Sequence, residues 1–311
     1  MKLPDARGPL GDAVNDHLRG LADTTAGPTR AWPSPSGEGD RALTLWTLFA
    51  LHHRGFDNVD PDAEWDPTLI ALRSHLENEL ETRLRAEYAA WDGPREPHAM
   101  IEAFEAQPGL ASFLRRDATA DQARAVLRQK SIYHLKESDA HCFVLPRLEA
   151  GPKAALAELQ YDEFGDGDPD RVHSHLFARA LEAAGLDPAY GAYVNEALPT
   201  TLEADNALSM LCLRRRLSHA AMGHLAAFET TSSLPCADVV RGLRRLGFDE
   251  AVVRYYDEHV EADAVHEQLV WQHLCARLGD EPHVTDEVAF GAFVCLHTEA
   301  RSGAAIIEAV A

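Results

Sequence analysis

The stretch Asp257-Glu-His259-Val-Glu-Ala-Asp263-Ala-Val-His266-Glu267 sets two imidazoles and a carboxylate at i, i+4 and i+7. On a helix of about 3.6 residues per turn those three side chains share one face. Asp is a poor helix former, and one flanked by His a turn away on either side must be paired or solvated. The trio therefore reads as half of a metal site carried by a helix. Mixed nitrogen and oxygen donors suit iron, manganese or zinc better than calcium. A solvated acidic helix face is the competing reading, since Asp257, Glu258, Glu261 and Asp263 are all acidic. The supply of further ligands upstream decides between the two.

Working outward, almost every periodic segment from Asp40 onward has the helical repeat, and none alternates between hairpin turns. The expectation is an all-α chain. Helices are expected over 119–147, 169–184, 188–197, 201–231, 249–278 and 284–309, among others. Asp168 is expected as N-cap and Pro169 as first residue of the 169–184 helix. The 201–231 segment is crowded with Ser218, Ala220, Ala221, Gly223, Ala226 and Ala227, which lets neighbouring helices approach closely. Its Arg214-Arg215-Arg216 run reads as a solvated or interhelical charge cluster rather than an anion site. Residues 1–40, rich in Pro, Gly, Asp and Ser without periodicity, read as a mobile or loosely draped arm.

Composition narrows the function. The 311 residues carry a formal net charge of -21, which repels nucleic acid and anionic membranes. Met1–Val14 has no apolar core of a leader, and the longest apolar run, Ala42–Leu51, is too short to cross a bilayer. Five scattered cysteines (Cys142, Cys212, Cys236, Cys275, Cys295) without C-x-x-C read as reduced, buried thiols. A soluble cytoplasmic protein is expected.

A di-iron site needs about six protein donors projecting inward from several helices. Three upstream candidates lie near apolar helical faces or helix ends: Glu137 in Tyr133-His-Leu-Lys-Glu137, Glu163 in Glu158-Leu-Gln-Tyr-Asp-Glu163, and His173 in Arg171-Val-His173-Ser-His175. Asp170-Arg-Val-His173 echoes Asp263-Ala-Val-His266 and offers Asp170 in place of Glu163, although an acid at a helix start has an ordinary structural reason to be there. His141, His175 and Glu229 read first as satisfied buried polar groups and second as supporting donors or extra ligands, with Glu229 the best of them.

The order Glu, Glu, His, then His-x-x-x-Asp-x-x-His, with Glu163 and His173 ten apart across a Gly-rich break, resembles the haem-oxygenase-like di-iron oxidases and oxygenases, the iron-containing redox enzyme family. The stretches Leu135-Lys-Glu-Ser-Asp-Ala-His141, Glu158-Leu-Gln-Tyr-Asp-Glu-Phe-Gly165, Gly223-His-Leu-Ala-Ala-Phe-Glu-Thr-Thr-Ser-Ser233 and Glu258–Glu267 look familial as well. The resemblance spans about residues 41–310. It implies a haem-oxygenase-like helical bundle with additional N-terminal helices: the arm 1–40, then one domain 41–311 with N-terminal helices over 41–118 and a metal-binding core over 119–311. Residue by residue it makes Glu137, Glu163, His173, His259, Asp263 and His266 the ligands of two non-haem irons, catalytic through the metal.

The same resemblance implies O2 as co-substrate, an external electron donor, a homodimer and a small-molecule substrate. An amine or amino acid is the first choice, by N-oxygenation, oxidative cleavage or desaturation, with Arg147, Arg214 or Arg215 available to a substrate carboxylate. Three buried carboxylates would be hostile to a porphyrin, which disfavours haem. Without metal the cluster repels itself, so raised carboxylate pKa values and a locally loose site are expected. Two other readings stand beside it: a non-catalytic iron-binding or interaction protein on the same fold, and a metal-free thiaminase-like hydrolase using Cys142.

Overall fold

The computed structural model describes residues 1–20 and 31–311, with side chains throughout except at residues 261–265. Among these residues the chain forms thirteen α-helices and no strand. They are α1 (Pro9–Leu18), α2 (Glu38–Ala50), α3 (Pro67–Ala90), α4 (Pro97–Glu105), α5 (Leu110–Arg116), α6 (Ala120–His134) and α7 (Ala150–Glu163). There follow α8 (His173–Ala183), α9 (Pro199–Leu213), α10 (Ser218–Thr230), α11 (Ser233–Arg245), α12 (Glu250–Gln268) and α13 (Pro282–Val310). None of the described helices is long and apolar enough to cross a membrane.

Local chemistry sets the helix starts. Proline opens α1, α3, α4, α9 and α13, where its missing N–H would have had no partner anyway. Thr119 and Gln122 close a reciprocal capping box on α6. Asp66 caps α3, accepting from the backbone N–H of Thr68 at 2.7 Å and Leu69 at 3.3 Å. Its second oxygen lies 2.8 Å from His17 Nε2, tying the end of α1 to the head of α3. Asp66→Ala is expected to destabilise the fold by about 1 kcal/mol through the lost cap. Chemical denaturation reads this directly, and an unmoved midpoint would mean water replaces the carboxylate without loss.

Residues 1–20 correct the expectation of a loosely draped arm. Leu10 and Val14 of α1 are buried in the core. The Asp40 carboxylate accepts from the backbone N–H groups of Leu10 and Gly11 at 3.2 and 2.9 Å. Arg7 Nη2 donates to the carbonyls of Val194, Asn195 and Ala197 at 3.2, 3.1 and 2.7 Å. The segment thus docks through a short apolar stripe, Leu10, Val14 and Leu18, and through polar anchors that hydrophobic patterning does not register.

Two apolar clusters make the core. One draws mainly on α1, α2, α3, α4, α7, α9, α10 and α13; the other mainly on α5, α6, α8, α11 and α12. Within the first, α10 lies across α13 at the small residues expected to allow close approach. The expected 201–231 helix is broken between α9 and α10. Arg214 is extended there, paired with buried Glu77 on α3, while Arg216 Nη1 donates to Glu81 Oε1 at 2.8 Å. The arginine run is an interhelical charge cluster, and reaching α3 is what takes it out of the helix. Over 188–197 only a 3-10 turn at Val194–Glu196 forms. The expected 249–278 helix passes at Leu269–Leu274 into a π-helical segment packed on α7.

Candidate metal centre

Five elements converge where the two apolar clusters meet. The expected 119–147 helix stops at His134, and Ser138 takes a left-handed φ of 65°. That conformation is uncommon for a residue other than glycine, and it turns the chain so that Glu137 is buried in the break. α7 ends on Glu163. Next, Gly165, Asp166 and Gly167 have φ of 75°, 56° and 84°. A Cβ at Gly165 would lie 2.7 Å from the carbonyl carbon of Arg171 and the nitrogen of Val172, so this reversal requires glycine. The reversal explains why α8 begins at His173 and not at Pro169, as expected. It returns His173 Nδ1 to 3.1 Å from Glu163 Oε2. α10 contributes Glu229, and α12 contributes His259 and His266.

These side chains form two buried groups, Glu137 with His173 and His259, and Glu163 with Glu229 and His266. Within each group the candidate ligand atoms lie within 4.8 Å of one another. Glu163 links the groups, since its Oε1 is 3.7 Å from His266 Nδ1 and its Oε2 is the atom facing His173. His266 Nδ1 is 3.0 Å from Glu229 Oε2, and its Nε2 is 2.6 Å from Asp162 Oδ2. His259 Nε2 is 3.8 Å from Glu137 Oε1, while its Nδ1–H donates to the Tyr255 carbonyl at 2.7 Å. That bond fixes the tautomer and leaves Nε2 as the lone-pair atom facing Glu137.

The electrostatics are those of a buried acid cluster balanced by imidazoles. Burial pushes Glu137 and Glu229 up, and the Glu163 charge adds to it. Glu163 goes the other way: burial opposes its charge, but His173, His259 and His266 together hold it at about 2. Burial works against a charge on His173, yet Glu163 and Glu137 carry it to about 9. His266 is likewise lifted against its burial to about 10 by Glu229, Glu163 and Asp162. Raised carboxylate pKa values were expected of the metal-free cluster; they occur at Glu137 and Glu229, while Glu163 is spared by its imidazole neighbours. Three buried carboxylates with imidazole partners are a donor set suited to divalent cations.

Of the sequence-derived candidates, the structure brings together Glu137, Glu163, His173, His259 and His266. The Asp263 side chain lies outside the described residues. Glu229, read first as a satisfied buried polar group and second as a supporting donor or extra ligand, stands as the third member of the second group. His175 is corrected: it is exposed and lies 3.9 Å from Asp170. Asp170 is also exposed, paired with Arg179, which leaves Glu163 the better candidate. His141 is buried, with no hydrogen-bond partner on either ring nitrogen among the described residues, and belongs to neither group. Cys142 donates to Gln160 Oε1 at 3.5 Å and burial pushes its thiol up, the reverse of an activated nucleophile. Arg147 donates to the Cys212 carbonyl at 2.6 Å, and Arg215 is exposed.

Sequence reading missed Asp162, Tyr255 and His134. The Tyr255 hydroxyl lies 2.7 and 2.9 Å from the two Glu137 oxygens and 2.7 Å from His134 Nδ1. Tyr255 precedes His259 by one turn and His134 precedes Glu137 by three residues, so helical periodicity carried a signal for both.

Paired buried Glu/His groups in an all-α bundle are an arrangement that could hold metal. The family model described as iron-containing redox enzyme matches residues 124–300, and the chain belongs to that family, with its all-α haem-oxygenase-like fold. The 4-chloro-allylglycine synthase of Streptantibioticus cattleyicolor is 27% identical over 121 residues, covering 39% of this chain and 45% of that protein. The chain thus spans less than half the length of that curated relative. Two crystal structures of a CADD-like protein of unknown function from Nostoc punctiforme share the fold. Their TM-scores are 0.52 and 0.53 at 18% and 16% identity, covering 76% and 75% of this chain and 99% and 95% of that one.

Proposed function

We propose that this chain is an O2-dependent non-haem di-iron oxidoreductase acting on a small organic substrate, with an amine or amino acid first. The observation that carries the reading is the pair of buried Glu/His groups sharing Glu163. On this reading Glu137, His173 and His259 would hold one iron and Glu163, Glu229 and His266 the other, with Asp263 completing the set. The irons, when bound, supply the electrons that reduce O2 and hence the oxidising power. The chain's own part is to hold its ligands in one tautomer and to exclude water, and the burial of all six described ligands supports that role. A carboxylate-lined interior argues against a porphyrin. The name of the Streptantibioticus relative specifies an amino acid as its product, which supports an amino-acid substrate here.

Proton competition gives a further expectation. His173 and His266 keep their protons to about 9 and about 10 in the metal-free protein, and each must shed one to offer a lone pair. Metal uptake near neutral pH is therefore expected to release protons, and affinity to climb from pH 6.5 toward 9. The same protonation stabilises the metal-free fold fully below 6.5, and the contribution is lost as pH rises through about 9 and then about 10. Calorimetry in buffers of different ionisation enthalpy reads the release; heats independent of buffer would contradict it.

The function is tested by anaerobic loading with Fe(II), counting ions per chain, then measuring O2 uptake and products across a panel of amines and amino acids. Two ions with substrate-dependent O2 uptake support the proposal. Retained iron without turnover favours the non-catalytic iron-binding role, and a chain that takes up no iron defeats both.

A further inference from the structure

We propose that Tyr255, oriented by His134, is a positioning residue that presets Glu137 and His259 for metal; the inference rests on reading Glu137, His173 and His259 as one metal-holding group. Tyr255 meets that group twice. Its hydroxyl contacts both carboxylate oxygens of Glu137, and its backbone carbonyl accepts the Nδ1–H of His259. One residue of α12 thereby fixes a carboxylate from another element through its side chain and an imidazole of its own helix through its main chain.

Proton counting gives the arrangement a direction. A phenol has a single proton to donate, and an ionised carboxylate only accepts. With the Tyr255 proton given to the Glu137 carboxylate, a proton on His134 Nδ1 has the phenol oxygen at 2.7 Å as its nearer acceptor and Glu137 Oε1 at 3.2 Å as its second. The chain of donors runs from His134 to Tyr255 to Glu137, each bond polarising the next. The phenol occupies one edge of the carboxylate and leaves its remaining lone pairs to face His259 and the centre.

The ring itself cannot swing away. Tyr255 is 1% exposed, with Phe177 edge-on at 4.9 Å between ring centroids and the His259 ring at 4.5 Å. Fixing a ligand before metal arrives removes an ordering cost from binding. Outer partners of this kind are worth about 10- to 100-fold in metal affinity.

The test is Tyr255→Phe, which keeps the ring packing and the carbonyl and deletes only the hydroxyl. Anaerobic titration with Co(II), whose visible spectrum reports its ligands, is compared between the variant and the unaltered chain. Thermal unfolding of the metal-free proteins runs beside it. The expected result is one ion weakened about 10- to 100-fold with an altered spectrum, the other ion held as before, and a cooperative metal-free transition. A purely structural hydroxyl would shift the unfolding transition and leave both affinities and the spectrum alone, which overturns the proposal. If Tyr255→Phe does not fold, His134→Phe frees the phenol to rotate and should weaken the same ion several-fold; wild-type affinity for both ions there overturns the proposal as well. Failure of the unaltered chain to take up Co(II) would instead defeat the metal-group reading on which the proposal rests.

Discussion

Replacing Glu163 with alanine is expected to release both metal ions, whereas Glu229→Ala should weaken only one. Glu163 is the carboxylate that faces both groups, with Oε2 3.1 Å from His173 and Oε1 3.7 Å from His266. Glu229 reaches His266 alone among these imidazoles. Since losing an outer partner already costs about 10- to 100-fold in affinity, losing a shared ligand should cost more than about 100-fold at each position. Glu163→Gln separates shape from charge, because it keeps the side-chain volume and removes the negative charge that holds the imidazoles protonated. It should lose metal as alanine does. In the metal-free chain the His173 and His266 pKa values should fall in both variants, since against the opposing effect of burial Glu163 does most to raise the first and contributes to raising the second. Metal counts per chain and imidazole titration by NMR read the two effects separately. Retention of two ions at unaltered affinity in Glu163→Ala would remove Glu163 from the ligand set.

The site was legible where its chemistry lies along the chain. His259 and His266 announce themselves by spacing, and Glu163 and His173 by the Gly-rich break between them, whose left-handed Gly165 brings them into contact. Glu229 carries no such pattern. Its partner His266 is 37 residues away, and their 3.0 Å contact arises only when α10 and α12 meet. The break after α6 was equally hidden, because Ser138 takes a left-handed conformation that sequence reserves for glycine or asparagine. The Arg214–Arg216 run shows the converse. Its residue types are compatible with helix, but pairing with Glu77 and Glu81 on α3 outweighs the propensity and splits the helix in two. The N-terminal segment was misread partly for the same reason, since Asp40 and Arg7 bind backbone groups far away in sequence, and partly because the Leu10, Val14, Leu18 stripe of α1 is only three residues long. Local periodicity thus recovered the helical class and the shared face of His259 and His266, and it failed where a tertiary contact set the local conformation.

The same distinction decides what an added methyl group does at the crossing of α10 and α13. A Cβ on Gly223 would fall inside the Val288 carbonyl, and one on Gly291 inside the Ala220 carbonyl. The two glycines are reciprocal, each facing the residue three before the other on the opposite helix, so the two backbones meet without side chains between them. Gly→Ala within an isolated helix gains about 1 kcal/mol. Here it also forces two main chains apart in a packed core, for which overpacking costs of about 3 kcal/mol or more are expected. The crossing should win, and Gly291→Ala should lose about 2 kcal/mol or more net, lowering the thermal midpoint by several degrees. Once the helices have parted, the second glycine is no longer pressed, so Gly223→Ala combined with Gly291→Ala should cost less than the sum of the two. Because α10 carries Glu229, metal affinity should fall along with stability. A neutral or stabilised Gly291→Ala would mean that α13 can slide on α10, and that the close approach is a convenience of packing and not a requirement of the fold.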